Sequence, residues 1–173
     1  MIEKSANGTE TVILALGGNV GDPRGNILRA AELLRAGGVD IYLVSSFFRT
    51  SPVGVLDQPE FFNAAVAAHT ALEPAPLLAK IKEIEESLGR NLRGPRWGPR
   101  PVDIDIIFFG RRLVRESNLT IPHPRFSDRL FVLEPILEIA PDFQLPNGEA
   151  FHDFYRRRRD SLDFSLQSVE KLP

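Results

Sequence analysis

An α+β domain, with a mainly antiparallel sheet and helices packed on one of its faces, is what the chain predicts. Three observations predict it. Apolar residues recur at helical spacing in two stretches, first Ile27, Ala30, Ala31 and Leu34, then Leu77, Leu78, Ile81, Ile84 and Leu88. Other stretches are continuously apolar or alternate with period two, as strands do. Their order is strand, helix, strand, strand, helix, strand, which is the ferredoxin-like split βαβ arrangement.

Taken in order, residues 1 to 10 read as a loose extension, and Thr11 to Gly17 is apolar on both faces, as a central strand would be. Gly17-Gly18-Asn19-Val20-Gly21-Asp22-Pro23 lacks a Gly-Lys-Ser/Thr ending and Gly-x-Gly-x-x-Gly spacing, so it reads as a structural turn. Asp22 suits an N-cap and Pro23 a first helical position, opening a helix over 23–36 that Gly37-Gly38 ends. Val39 to Arg49 predicts a second strand. The loop after it, Thr50 to Pro59, is longer than a hairpin needs, which hints at function. Phe61 to Thr70 predicts a third strand. Asn63 inside so apolar a strand either satisfies a neighbouring loop or reads a ligand's donor and acceptor edge.

A second helix starts near Pro74 or Pro76, runs to Leu88 and stops at Gly89. After a fourth strand begins at Val102, Gly110-Arg111-Arg112 turns the chain into a short partner strand through Leu113 and Val114. Pro122 and Pro124 bracket His123 in an irregular stretch. A helix over Ser127 to Leu133, capped by Ser127, and a further turn from Pro135 to Ile139 are expected next. Residues 147–173 form a polar, variable C-terminal tail, whose Arg156 to Arg159 run reads as a solvated helix.

The length of 173 residues suits one domain, 1–173, able to bury a core without staples. A net charge of -2 speaks against a nucleic-acid binder. With no cysteine, disulfides and thiolate chemistry are excluded. The apolar run from Val12 to Leu16 is too short for a signal core or a membrane span, so a cytoplasmic protein is expected.

The chemistry concentrates between Arg90 and Asp105. Val102, Ile104 and Ile106 should face a core while Asp103 and Asp105 project side by side from the opposite face. Two such carboxylates repel unless a cation sits between them, and magnesium carrying phosphates suits hard oxygen ligands. Arg90, Arg93, Arg96 and Arg100 add guanidinium forks that match phosphate oxygens. Gly94, Pro95, Gly98 and Pro99 forbid helix and strand, leaving a loop able to move over a ligand. Alone, an Asp-x-Asp pair is commonly a solvated face and an arginine-rich loop is commonly decoration. Their combination favours phosphate-plus-metal chemistry. Two other classes remain: an RNA-binding sheet, which the acid pair opposes, and a magnesium-dependent nucleotide hydrolase.

Six segments then carry a resemblance. They are Ala15-Leu16-Gly17-Gly18-Asn19 with Gly21-Asp22; Ser46-Phe47-Phe48-Arg49-Thr50-Ser51-Pro52; Asp57-Gln58-Pro59 with Phe62-Asn63-Ala64; Gly89-Arg90; Arg96-Trp97-Gly98-Pro99-Arg100 with Asp103-Ile104-Asp105; and Pro122-His123-Pro124-Arg125 with Arg129-Leu130-Phe131-Val132. In this order they resemble the 6-hydroxymethyl-7,8-dihydropterin pyrophosphokinase family. The resemblance implies an ATP-dependent transferase of folate biosynthesis that moves pyrophosphate from ATP to the pterin hydroxymethyl, giving AMP. It implies that Asp103 and Asp105 hold two magnesium ions on the ATP phosphates, and that Arg90, Arg100, His123 and Arg129 reach those phosphates. Glu85 would help form the nucleotide site, Trp97 would belong to a mobile loop over it, and backbone groups at Ile106 and Thr120 would read the adenine edge. Phe61 and Phe131 would sandwich the pterin, with backbone at Thr50 and Val53 and the Asn63 side chain on its polar edge. An arginine expected two residues after Arg90 is Leu92 here, with Arg93 beside it. A monomer without nucleic-acid or membrane partners is implied, one that could touch the next folate-pathway enzyme.

Overall fold

A sheet with a different cover at each end of one face organises the molecule. The computed structural model describes residues 8–52, 57–91, 98–161, 164 and 167–173. In chain order the elements are β1 (Glu10–Gly18), α1 (Pro23–Ala36), β2 (Val39–Val44), β3 (Phe48–Thr50), β4 (Phe61–Thr70) and α2 (Pro74–Ser87). After them come β5 (Asp103–Phe109), β6 (Val114–Arg115), β7 (Thr120–Ile121), α3 (Leu130–Ile139), α4 (Phe151–Ser161) and β8 (Val169–Lys171).

β1 is central, antiparallel to β4 on one side and to β5 on the other. The far edge of β4 is shared, with β2 along its second half, β3 along its first, and β8 continuing beyond β3. Helix α1 opens as expected, the Asp22 carboxylate accepting the Gly25 N–H at 3.0 Å with Pro23 in the first turn. Its buried stripe and that of α2 pack on one sheet face against Val12, Leu14, Leu16, Val66, Ile104 and Ile106. The alternation of Val102, Ile104 and Ile106 is therefore real: all three are buried while Asp103 and Asp105 stand partly exposed on the other face.

That other face is not left wholly to loops and ligands. At one end Ile13, Ala65, Ala67, Ile107 and Phe108 form a second core with α3 and α4. The tail expected to be solvated contributes to it: Phe151 is fully buried, Phe164 nearly so, and the Phe126 and Phe154 rings stack at 5.3 Å.

Three local expectations are corrected. The second strand breaks after Val44, because the Ser45 hydroxyl accepts the Ala65 N–H at 2.9 Å and Ser46 turns to Glu138 with its N–H and its hydroxyl. Past Gly110 the chain forms a separate two-stranded hairpin, β6 with β7, instead of a partner for β5. Ser127 does not cap a helix; Phe126–Asp128 is one 3-10 turn, and α3 then runs straight through Pro135. Leu130, Val132, Leu133, Pro135 and Ile136 are all buried, so packing outweighs the hydrogen bond that proline forfeits. No helix among the described residues is long and apolar enough to cross a membrane.

Candidate active site

The open end of the second face is built on two ladder rows. Gly17 of β1 lies between Asn63 of β4 and Asp103 of β5, and two residues earlier Ala15 lies between Ala65 and Asp105. Small residues in the middle strand make a floor. Because adjacent strands stand about 4.8 Å apart, Asn63 and Asp103 look at one another across roughly 10 Å of it. A Cβ on Gly17 would come within 2.6 Å of Asn63 Oδ1, so glycine is what leaves the amide its place.

Over this floor opens a cavity of about 1160 Å³. A single drug-sized ligand fills roughly 300–1,000 Å³, so two small molecules fit side by side. Of the residues singled out in the sequence, Thr50, Phe61, Asn63, Arg90, Arg100, Asp103, Asp105, His123, Arg129 and Phe131 line it. Glu85, Ile106 and Thr120 are not part of its described wall. Val53, Trp97 and the Leu92 and Arg93 pair lie outside the described residues.

One end of the cavity is aromatic and amide-bearing. The buried Asn63 donates from Nδ2 to Thr50 Oγ1 at 2.8 Å. Phe61 and Phe131 are half-buried, with the Arg100 guanidinium 5.9 Å from the first ring centre and that of Arg129 5.4 Å from the second.

The other end is ionic. Arg90 pairs with both Glu85 and Asp103, and Arg100 Nη1 meets the second Asp103 oxygen at 2.6 Å. Glu85, expected beside the nucleotide, is fully buried behind the wall, where it accepts the Ile104 N–H and the Lys82 ammonium, each at 2.8 Å. It therefore forms the site by holding Arg90 and Lys82, without facing the cavity. Burial raises the Glu85 carboxyl above its ordinary range. Burial also pushes Asp103 upward, but Arg90 and Arg100 outweigh it and hold this carboxyl below the usual range. At Asp105 burial and the charge of Asp103 act together and raise it. Arg90 is held above its ordinary value, Asp103 and Glu85 prevailing over burial, whereas burial and then Arg125 lower Arg129.

His123 hangs from β5, its N–H donating to the Ile107 carbonyl at 3.1 Å. Its Nδ1 accepts the Arg125 N–H at 3.2 Å, so the neutral ring carries its proton on Nε2, which faces Asp105 at 3.9 Å. Burial depresses the imidazole pKa against the pull of Asp105, which makes this ring a neutral N–H donor.

Several contributors were not foreseen. Asn19 is buried and ties two loops together, donating from Nδ2 to Gln58 Oε1 at 3.1 Å and Pro59 O at 3.0 Å, and accepting the Arg100 N–H at 2.9 Å. Lys82, Arg125 and Asp128 also line the cavity. Lys82 had a signal: its partner Glu85 interrupts the apolar stripe of Leu77, Ile81 and Ile84, where a carboxylate is costly unless paired.

Two part-exposed carboxylates one alternation apart are oxygen donors of the kind magnesium takes. No group of three or more His, Asp or Glu side chains able to hold a metal occurs among the described residues. The donor set thus fits a cation that brings phosphate and water oxygens with it, and does not fit a protein-only cage.

Comparison with known proteins converges on one family. Residues 13–141 match the model of 7,8-dihydro-6-hydroxymethylpterin-pyrophosphokinase. The 2-amino-4-hydroxy-6-hydroxymethyldihydropteridine pyrophosphokinase of Bacillus subtilis is 45% identical over 128 residues, which are 73% of this chain and 76% of that protein. The mitochondrial folate synthesis bifunctional protein of Pisum sativum is 46% identical over 130 residues, 75% of this chain but 25% of its own length. The chain thus spans about a quarter of the plant bifunctional proteins it matches. The crystal structure of wild-type Plasmodium falciparum HPPK-DHPS with pteroate superposes with a TM-score of 0.69 at 16% identity, over 91% of this chain and 43% of that one, a likeness of fold.

Proposed function

The chain belongs to the 7,8-dihydro-6-hydroxymethylpterin-pyrophosphokinase family, and from that premise we propose that it transfers pyrophosphate from ATP to the hydroxymethyl oxygen of 6-hydroxymethyl-7,8-dihydropterin, releasing AMP. One observation carries the reading: two chemically unlike ends, one aromatic with an amide and one ionic, share a single floor of small residues.

The pterin takes the first end. Phe61 and Phe131 offer apolar faces, the Asn63 side chain meets the polar edge, and backbone at Thr50 completes it. The ATP polyphosphate takes the second. There Arg90, Arg100, Arg129 and the Nε2–H of His123 converge on the acid pair, with Glu85 bracing Arg90 from behind. Backbone at Ile106 and Thr120, outside the described cavity wall, would read the adenine. Two magnesium ions on Asp103 and Asp105 would supply neutralisation of the polyphosphate charge.

The reaction forms a bond between the pterin hydroxymethyl oxygen and the β-phosphorus, releases the hydroxyl proton to solvent, and breaks the bond to the α,β-bridging oxygen, which leaves with AMP. Such a transfer needs alignment and charge stabilisation, and no covalent help from a side chain. The chain supports this by presetting its donors: Arg90 and Arg100 are already held by carboxylates, so little reorganisation remains for the reacting complex. Contact with the next folate enzyme is part of the same reading, supported by the bifunctional make-up of the pea relative; a cytoplasmic monomer completes the proposal.

Incubation with MgATP, with and without 6-hydroxymethyl-7,8-dihydropterin, tests the proposal by AMP release. AMP is expected only when both substrates are present. ATP breakdown that ignores the pterin would mean a hydrolase, and no AMP with both would remove the reading altogether.

A further inference from the structure

The family match ends at residue 141, yet the far C-terminal segment grips both walls of the proposed pterin slot. On one wall β8 pairs with β3, setting Val169 opposite Thr50 and Lys171 opposite Phe48. The Leu172 N–H donates to the Phe47 carbonyl at 2.8 Å, and Glu170 pairs with Arg49 at 2.5 Å. Thr50 is the residue whose hydroxyl receives the Asn63 amide.

On the opposite wall the segment reaches the first turn of α3. Gln167 Oε1 accepts the Leu130 N–H at 2.8 Å, and its Nε2 donates to the Asp128 carbonyl at 2.8 Å. Helix α3 lacks a local cap, since its N-cap residue Arg129 makes no side-chain bond to the first turn. Gln167 supplies that bond from 37 residues away, satisfying one of the amide donors that a helix start leaves without a partner. Its two bonds bracket Arg129, whose guanidinium covers the Phe131 ring.

We propose that Gln167 is a positioning residue for the pterin slot: its amide fixes the Asp128–Leu130 backbone, and with it Phe131, relative to the Thr50–Asn63 wall to which β8 ties the same segment. Only Ser168 separates Gln167 from β8, so the link between the walls is short and the slot width is set by it. The inference rests on the reading of this slot as the pterin site. Without the amide, the turn carrying Phe131 has to be ordered by the ligand, which weakens binding and leaves the phosphate end alone.

Steady-state kinetics at saturating MgATP with varied pterin, together with thermal melts, test it on three variants of the full chain. Gln167→Ala is expected to raise the pterin KM about three- to tenfold, with kcat held within about twofold. Gln167→Glu keeps the acceptor for the Leu130 N–H but loses the donor to the Asp128 carbonyl, and is expected to recover part of that loss. Leu145→Ala removes buried packing outside the slot and outside the segment that carries Gln167, and is expected to lower Tm while leaving KM unchanged. An unchanged KM in Gln167→Ala would overturn the inference. So would a Glu variant no better than Ala, or an equal KM rise in Leu145→Ala. A wild-type chain that turns over no pterin would sink the reading of the site and this inference with it. An active wild type with an indifferent Gln167 sinks only the inference.

Discussion

The same three strands present the same sheet face twice. At one end the row Ala67, Ile13 and Phe108 is sealed beneath α3 and α4; at the other the row Asn63, Gly17 and Asp103 opens to the cavity. A bulge in β5, between the pairings of Ile13 and Leu14, separates the two rows and brings Phe108 onto the face that carries Asp103 and Asp105. The difference lies in the middle residue, isoleucine against glycine, and in flanks that are apolar against polar. A site on this fold is a length of sheet from which core-forming side chains have been withheld, and stability and chemistry are divided along β1.

That division can be broken deliberately. Asp105→Ala strikes only the chemical end, so turnover of the pterin should fall about a thousandfold while the fold survives. Stability should hold or rise, because Asp103 loses a like-charged neighbour. Kinetics and a chemical denaturation curve read both, and near-normal turnover would refute the metal assignment. Leu133→Ala is the mirror experiment, since this fully buried side chain belongs to the sealed end. Its denaturation midpoint should reveal a loss of about 2–5 kcal/mol, with kcat/KM per folded molecule unchanged. Gly17→Ala tests the border: its Cβ would press on the Asn63 amide, so the pterin KM should rise about tenfold with the ATP KM unaltered. Equal effects on both substrates would mean that the floor does not separate two sites. Glu85→Gln should be mildest, lowering kcat/KM for ATP about three- to fivefold, because an isosteric amide keeps the Ile104 bond and loses the charge facing Arg90 and Lys82. A loss rivalling that of Asp105→Ala would place Glu85 in direct contact with the reacting groups.

The fold was legible wherever one periodicity ran uninterrupted. β1, α1, β4, α2 and the start of β5 stand where alternation or helical spacing put them. The misread places have competing physics. Val39 to Arg49 is a uniformly strand-like run, and only the long-range bonds of Ser45 and Ser46 reveal the break. Pro135 reads as a stop until the burial around α3 is known, and the polar tail conceals how few aromatics, Phe151 and Phe164 among them, suffice to dock it. At the site, Asp103, Asp105, Arg90 and Arg100 could be named from type and spacing, whereas His123 entered through the family resemblance. Residues that act through others could not: the depth of Glu85, the loop-tying bonds of Asn19 and the distant cap from Gln167 all depend on contacts that no local pattern records.

The two arginines on Asp103 carry a consequence for what the cavity accepts. Each of its oxygens already has a guanidinium partner, so the positive and negative groups there cancel one another. On the reading proposed above, a magnesium-nucleotide complex would meet Asp103 already neutralised by its two arginines, while Asp105, which His123 Nε2 faces at 3.9 Å, keeps its oxygens open to a cation.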